Sequence, residues 1–178
     1  MKKLLILFAL IVIPAIMRAQ KPFELDMLVN TPGYSKEHIY NMSRTWFIAD
    51  SKKIEKNIES EDKETGVIKG KAIIPMSVDS QEWASLSGLL HATIKIQASD
   101  GSFRLQIYNI IHESYKGVAL PEWNQGYVYD KVPEYVKRKD RKRYETMITY
   151  AYLAISKPAA EAISTIQSLI ENILPEDY

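Results

Sequence analysis

Cysteine is absent from the 178 residues of this chain. Its absence excludes a disulfide, a cysteine nucleophile and lipid attachment through an N-terminal cysteine. The sequence also has no His-Glu-x-x-His, Gly-x-Ser-x-Gly or Gly-rich phosphate-binding motif. We therefore expect a protein without catalytic residues, metal or cofactor.

A strong charge of one sign is also missing, since 23 Lys and Arg balance 22 Asp and Glu. If residues 1–19 are removed, three of the cations go with them, and the balance of 20 against 22 gives a net charge of −2. Binding of nucleic acid by a protein depends on an excess of positive charge. We expect no nucleic-acid partner.

The N-terminal segment has the pattern of a cleavable secretory signal. Lys2 and Lys3 precede an apolar run from Leu4 to Met17, which is shorter than the roughly 20 residues that a membrane span needs. We expect cleavage near Ala19-Gln20 and a periplasmic or secreted protein of a Gram-negative bacterium, with no transmembrane span in the mature chain. An uncleaved anchor is the alternative, because Met17 is larger than the residue usual three positions before the cut.

Residues 20–178 are expected to form one domain, since about 159 residues can bury a sizeable core. The first half predicts a strand over 23–29, a helix over 35–49 with Ser35 as N-cap, and two strands over 54–60 and 67–76. In the first strand of that hairpin the alternation places Ile54, Ile58 and Ser60 on one face. Acidic and basic residues facing each other across the hairpin predict a solvated sheet surface.

Asp100-Gly101 predicts a tight turn between two longer strands, because such turns need positive φ at both central residues. Pairing from this turn places Ile94 opposite Ile107 and puts Phe103 and Ile111 on the core face. The other face then carries His91, Thr93, Lys95, Gln97, Arg104, Gln106, Tyr108 and Ile110.

Residues 114–142 lack periodicity and hold several aromatic residues, which predict a Tyr-rich lid or loop. A C-terminal helical segment is predicted over 143–174, kinked or restarted at Lys157-Pro158 and closed by Pro175. The predicted order of elements is β-α-β-β-β-β-α.

Three stretches, "SKEHIYNMSRTWF", "SEDKETGVIKGKA" and "SDGSFRLQIYNIIHES", resemble successive motifs of a family of secreted bacterial domains of unknown function, numbered 4468, which have a TBP-like fold. The resemblance covers residues 24–114. It implies an α+β fold in which a curved antiparallel sheet has helices packed on one face. It implies no activity, because the family has none assigned.

A sheet covered on one side only leaves its other face available for docking, although such a face often meets nothing but water. The binding candidates on this face are Lys95, Arg104, Gln106, Tyr108, His91 and His112. The two histidines lie diagonally to each other in the predicted register, but a metal site needs three or four ligands, and only Tyr108 or a carboxylate from elsewhere is available as a third, so ordinary surface histidines are favoured. Trp123, Tyr127 and Tyr129 are the candidates in the lid, for which packing on the core is favoured and a carbohydrate- or peptide-stacking patch is the alternative.

The run from Lys137 to Arg143, "KRKDRKR", predicts a solvated segment leading into the helix, with anionic lipid heads, lipopolysaccharide or another polyanion as the alternative. Taken together, the sequence favours a non-catalytic binding or assembly module of the cell envelope, whose partner is an envelope protein or a small molecule and which could be a homodimer. A carrier that holds a small apolar ligand between the sheet and the C-terminal helix is the alternative. A hydrolase of envelope polymers is the third reading.

Overall fold

The computed structural model describes residues 21–49, 54–115 and 126–173, so the predicted signal segment, Trp123 and Pro175 lie outside the described residues. A single hydrophobic core lies between one antiparallel sheet and two α-helices. The elements are β1 (Leu25–Asn30), α1 (Lys36–Ile48), β2 (Glu55–Asp62), β3 (Val67–Met76), β4 (Gly88–Ser99), β5 (Ser102–Ser114), β6 (Gly126–Tyr127) and α2 (Arg141–Asn172).

The strands follow the order β1-β5-β4-β3-β2, and β6 pairs with β5 beyond the part that β1 covers. Both helices pack against the same side of this sheet, so the other side, here called the open face, carries no helix from the described residues. The predicted α+β architecture, with a TBP-like sheet and helices on one face, is confirmed. The structure adds β6 to the predicted order.

Helix α1 begins where the sequence predicts, because the Ser35 Oγ accepts a hydrogen bond from the His38 backbone N–H at 3.3 Å. Its apolar residues recur at helical spacing and face the sheet, with Ile39, Met42 and Phe47 almost completely buried. Phe47 lies directly over Gly70 of β3, where a Cβ would come within 2.6 Å of its ring. The glycine therefore lets the helix approach the sheet closely.

Helix α2 runs without interruption through Pro158, so the predicted restart at Lys157-Pro158 is wrong, and the kink stays a prediction. Proline removes one backbone hydrogen bond, but the buried residues on both sides of it form one continuous apolar stripe against the sheet and α1. These residues are Met147, Ala151, Ile155, Ala159, Ala162, Ile166 and Ile170. Tertiary packing outweighs the local cost of the proline.

The β2–β3 hairpin forms around the predicted turn at 63–66, but a β-bulge at Glu59 shifts its register between Ile58 and Ser60. Ser60 consequently lies opposite Lys69 on the open face, and its predicted position on the core face is wrong. Glu61 takes the helix side instead, where it accepts a hydrogen bond from Arg44 Nε at 2.8 Å. The bulge thus turns a carboxylate toward α1.

A second irregularity divides β5. From the turn to Ile107 the predicted pairing is confirmed, including Ile94 opposite Ile107. Asn109 then adopts a left-handed φ of 53° and forms a bulge, after which His91 lies opposite Ile111. Beyond it, Ile110 faces the core and Ile111 faces outward, so the predicted faces of both isoleucines are wrong.

Residues 126–129 of the Tyr-rich segment join the sheet, while residues 130–137 form turns and irregular backbone, as expected of a loop. The Val128 N–H donates to the Ile110 carbonyl at 2.8 Å, and the Phe23 N–H donates to the Val128 carbonyl at 2.8 Å. A further bridge joins Pro22 to Tyr129. Residues 126–129 therefore lie between the segment that precedes β1 and the far end of β5.

Candidate functional site

The open face is the surface from which a site can be built, because the outward side chains of five strands meet there. One end of it carries a polar cluster around Asp26 of β1. Arg104 donates to both carboxylate oxygens of Asp26, from Nε at 2.7 Å and from Nη2 at 2.9 Å, and Gln106 donates to the second oxygen at 3.2 Å. The hydrogen bonds from Arg104 hold the pKa of Asp26 below its usual value.

Two of the predicted candidates, Arg104 and Gln106, are therefore occupied by a carboxylate of the same chain. Lys95 lies opposite Gln106 in the same part of the sheet and adds a further attraction to Asp26. The cluster is exposed, and pairs of this kind contribute little to stability in water. Because these side chains bind one another, this end of the open face is a network of surface hydrogen bonds.

The other end of the open face holds a groove with a volume of about 620 Å³, a size suited to a short peptide segment or a small organic ligand. Its floor is built from outward residues of four neighbouring strands. They are Glu55 and Asn57 of β2, Lys71 and Ile73 of β3, His91 and Thr93 of β4, and Asn109 and Ile111 of β5.

The strand register explains how these residues come together. Glu55, Ile73, His91, Ile111 and Tyr127 lie directly opposite one another in turn, so they form one row across five strands. Residues opposite each other in antiparallel strands share a face and contact through their side chains. The row gives the groove two aliphatic side chains, Ile73 and Ile111, with the His91 imidazole between them.

Polar groups line the margin of this floor. The His91 Nε2 lies 2.8 Å from Glu113 Oε2, and the Lys71 Nζ lies 2.7 Å from Glu59 Oε1. Asn57 and Asn109 add side-chain amides, which both donate and accept hydrogen bonds. The groove combines apolar contact with hydrogen-bonding groups at its edges.

Asn109 connects this groove to a second cavity of about 590 Å³, which is lined by Lys21, Pro22, Phe23, Glu24, Tyr108, Asn109 and Asp130. Tyr108, a predicted candidate, belongs to this second cavity. A non-glycine residue with positive φ is uncommon and often marks a functional position. Here it stands between the two cavities.

His112 does not lie on the open face, so its predicted place beside His91 is wrong. The bulge at Asn109 turns its side chain into the core, where it is 1% exposed and its Nε2 lies 2.9 Å from the Leu86 carbonyl. Burial lowers the pKa of this imidazole. Among the described residues no group of three His, Asp or Glu side chains could hold a metal ion.

The predicted lid residues divide between the sheet and its surface. Tyr129 is half-buried against the core, while Tyr127 is 46% exposed at the end of the cross-strand row. A ligand held between the sheet and α2 would need a cavity there. The space lined by Trp46, Ile94, Pro158, Ala159 and Ala162 measures about 10 Å³, which is the size of one water at most.

Four residues of the groove were not predicted from the sequence as residues of a site. They are Ile73, Ile111, Asn57 and Asn109. One signal was present in "YNIIHE", because two adjacent isoleucines break the strict alternation of a regular strand. An asparagine directly before such a break is a good candidate for a bulge, since asparagine tolerates the left-handed conformation. Nothing comparable marks Asn57, whose place depends on the bulge in β2.

In the part of the chain that the structure describes, no helix is long and apolar enough to cross a membrane. Residues 27–113 match the model of a family described as a domain of unknown function (DUF4468) with a TBP-like fold. A comparison with curated proteins finds no match.

Two solved structures share the fold. A DUF4468 family protein from Bacteroides ovatus superposes with a TM-score of 0.55 at 16% identity, over 88% of this chain and 90% of that one. A TBP-like protein from Parabacteroides distasonis gives a TM-score of 0.54 at 14% identity, over 82% of this chain and 93% of that one. At these identities the similarity establishes the fold alone.

Proposed function

From the premise that residues 27–113 form a domain of the DUF4468 family with a TBP-like fold, we propose that this protein is a non-catalytic binding module of the cell envelope. The site is the groove on the open face, and its ligand is an extended segment of a partner polypeptide. The observation that carries the proposal is the cross-strand row from Glu55 to Tyr127, with its aliphatic floor and polar margin.

The composition of the groove favours a polypeptide over a glycan. Apolar side chains of a peptide match Ile73 and Ile111, and its backbone amides match Asn57, Asn109 and Lys71 at the margin. Sugars are usually recognised by stacking on aromatic rings. Within the described ranges no Phe, Tyr or Trp side chain lines this groove, and Tyr127 lies only at the end of the cross-strand row.

Binding without catalysis is supported by the same lining. Glu55 is the single carboxylate among the described residues that line the groove itself, while Glu59 and Glu113 at its margin are engaged by Lys71 and His91. Glycoside hydrolysis uses two carboxyl groups that flank the scissile bond. The third reading, a hydrolase of envelope polymers, is therefore less favoured than binding.

The cellular place of this module is proposed from the N-terminal pattern alone. The apolar run from Leu4 to Met17 after two lysines supports export, with the mature chain starting at Gln20. N-terminal sequencing of the protein recovered from an envelope fraction tests this. A start at Met1 contradicts cleavage, and recovery from the cytoplasmic fraction alone contradicts export.

The predicted homodimer stays a prediction. The edge of β2 disfavours a dimer formed by pairing of this strand between two copies. This edge carries Glu55, Glu59, Glu61 and Asp62 and is interrupted by the bulge, both of which oppose strand pairing between copies. Native mass spectrometry of the exported protein reports subunit number and retained ligand in one spectrum. A dimer mass would require another interface.

Selection from a display library of short peptides tests the proposed site. Peptides selected by the exported protein are expected to lose binding when Ile111→Asp places a charge on the floor of the groove. Leu28→Asp is the matched control, because Leu28 is 68% exposed on the same face but lies outside the groove. Loss of binding in both variants, or in neither, contradicts the proposal.

A further inference from the structure

The segment that leads into α2 carries a concentration of positive charge that the open-face site does not use. Residues 131–143 contain seven Lys and Arg against Glu134 and Asp140, so this segment has a formal charge of +5 in a chain whose total is +1. Six of these cations are exposed, and the five that lie close together in the sequence are here called the basic patch. They are Lys137, Arg138, Lys139, Arg141 and Lys142.

The basic patch does not stabilise the fold through ion pairs. Among the described residues, none of its five side chains forms an ion pair, and Lys142 instead lies 5.8 Å from the centre of the Trp83 ring. The patch also surrounds the start of α2, where the helix dipole disfavours positive charge. Folding alone gives no reason for this concentration of cations.

Exposed apolar side chains lie beside the patch. Tyr135 is 71% exposed two residues before Lys137, and Leu153 is 56% exposed on α2. Leu153 follows Lys142 by eleven residues, which places both on one side of the helix about 16 Å apart. A surface with cations and exposed aromatic or aliphatic groups fits the boundary between lipid headgroups and acyl chains.

We propose that the basic patch docks the protein on the surface of a bilayer rich in anionic phospholipid, with Tyr135 and Leu153 entering the headgroup region. Charge complementarity selects this occupant, because a near-neutral protein concentrates its cations here. The helix α2, at whose start the patch lies, and the groove are on opposite sides of the sheet, so docking through the patch does not require the groove residues.

Flotation with vesicles tests this inference. The exported protein is mixed with vesicles of phosphatidylcholine, with or without phosphatidylglycerol, at near-physiological ionic strength. Each basic residue near an anionic bilayer contributes roughly a fivefold factor in affinity. The combined change Lys137→Gln, Arg138→Gln and Lys139→Gln is therefore expected to lower partitioning into the anionic vesicles about 100-fold.

The matched control removes the same charge elsewhere, through Lys63→Gln, Lys69→Gln and Lys95→Gln, none of which lines the groove. It is expected to change partitioning less than about threefold, because surface charges outside the patch are screened from the bilayer. All variants are prepared identically, so the N-terminal segment contributes equally to each. Circular dichroism should show an unchanged or higher melting temperature for the patch variant, since it removes cations from a helix N-terminus.

Three results would overturn the inference. The protein fails to float with anionic vesicles, or both triple variants lose affinity equally, which would indicate net charge alone. In the third, a soluble polyanion such as polyphosphate binds more tightly than the vesicles do. The combined change Tyr135→Ser and Leu153→Ser then alters the affinity for neither the polyanion nor the vesicles. This result would identify a polyanion as the ligand of the patch. These outcomes do not involve the groove residues, so they leave the proposed peptide site to its own test.

Discussion

The two halves of β5, on either side of Asn109, differ in which alternate residues face the core. From Ser102 to Ile107 the strand follows the alternation that the Asp100-Gly101 turn sets, with Phe103, Leu105 and Ile107 buried. From Ile110 onward this alternation no longer gives the observed faces, because the bulge adds one residue opposite Ala92. The first half builds the core and the second half builds the site.

The difference shows that a single residue can decide which side chains a sheet presents. Without the bulge, strict alternation would direct Ile111 into the core and His112 outward. With it, Ile111 and Glu113 lie on the open face, and His112 is buried beside Leu86. The groove exists because β5 is irregular at this point.

Truncation of one side chain in each half of β5 should give the largest difference in the free energy of unfolding. Phe103→Ala in the first half is expected to lower the free energy of unfolding by about 3–5 kcal/mol, because the ring is completely buried. Ile111→Ala in the second half should cost less than about 1 kcal/mol, because its side chain lies on the surface. Urea denaturation measures both, and a cost above about 2 kcal/mol for Ile111→Ala would place this residue in the core.

The buried imidazole of the second half should make stability depend on pH. Burial lowers the pKa of His112 in the folded state, so the unfolded chain binds more protons as the pH falls below about 6.5. The free energy of unfolding should therefore decrease by up to about 1.4 kcal/mol per pH unit below that value, until the lowered pKa is reached.

His112→Leu should remove this contribution, although it also loses the hydrogen bond to the Leu86 carbonyl and lowers stability at neutral pH. The measurement is urea denaturation of both proteins between neutral pH and mildly acidic pH. Carboxylates titrate alike in the two, so the difference between their slopes belongs to His112. Equal slopes would show that this side chain is not buried as an imidazole.

Substitution of Asn109, the residue that separates the two halves of β5, should lower stability less than truncation of Phe103. Asn109→Val is expected to cost about 1–2 kcal/mol, because a β-branched residue adopts a left-handed φ only with strain. Asn109→Gly should stay within about 0.5 kcal/mol, since glycine adopts this conformation freely. Thermal unfolding compares them, and equal stability of the two variants would mean that the backbone at Asn109 is not left-handed.

The sequence predicted the parts of the fold that local rules determine. Ser35 caps α1, the Asp100-Gly101 turn sets the pairing up to Ile107, and the alternation of β3 from Ile68 to Met76 is confirmed. Each of these depends on residues that are neighbours along the chain or across one tight turn. The resemblance to the DUF4468 family, drawn from the same stretches, is confirmed by the match over residues 27–113.

What the sequence missed depends on contacts between distant segments. Alternation does not show where a strand gains a residue, so the bulges at Glu59 and Asn109 reversed the predicted faces beyond them. Packing of α2 against the sheet keeps the helix continuous at Pro158, against the local rule. The groove could not be predicted, because its row of residues requires the correct register of five strands.

The central claim is that the bulge at Asn109 turns Ile111 and Glu113 outward and Ile110 and His112 inward. Because the chain contains no cysteine, single variants Ile110→Cys, Ile111→Cys, His112→Cys and Glu113→Cys can be labelled with a thiol reagent without background. Under native conditions, the thiols at 111 and 113 are predicted to react rapidly, and those at 110 and 112 to react only on unfolding. Rapid reaction at 110 and 112 with protection at 111 would contradict the account.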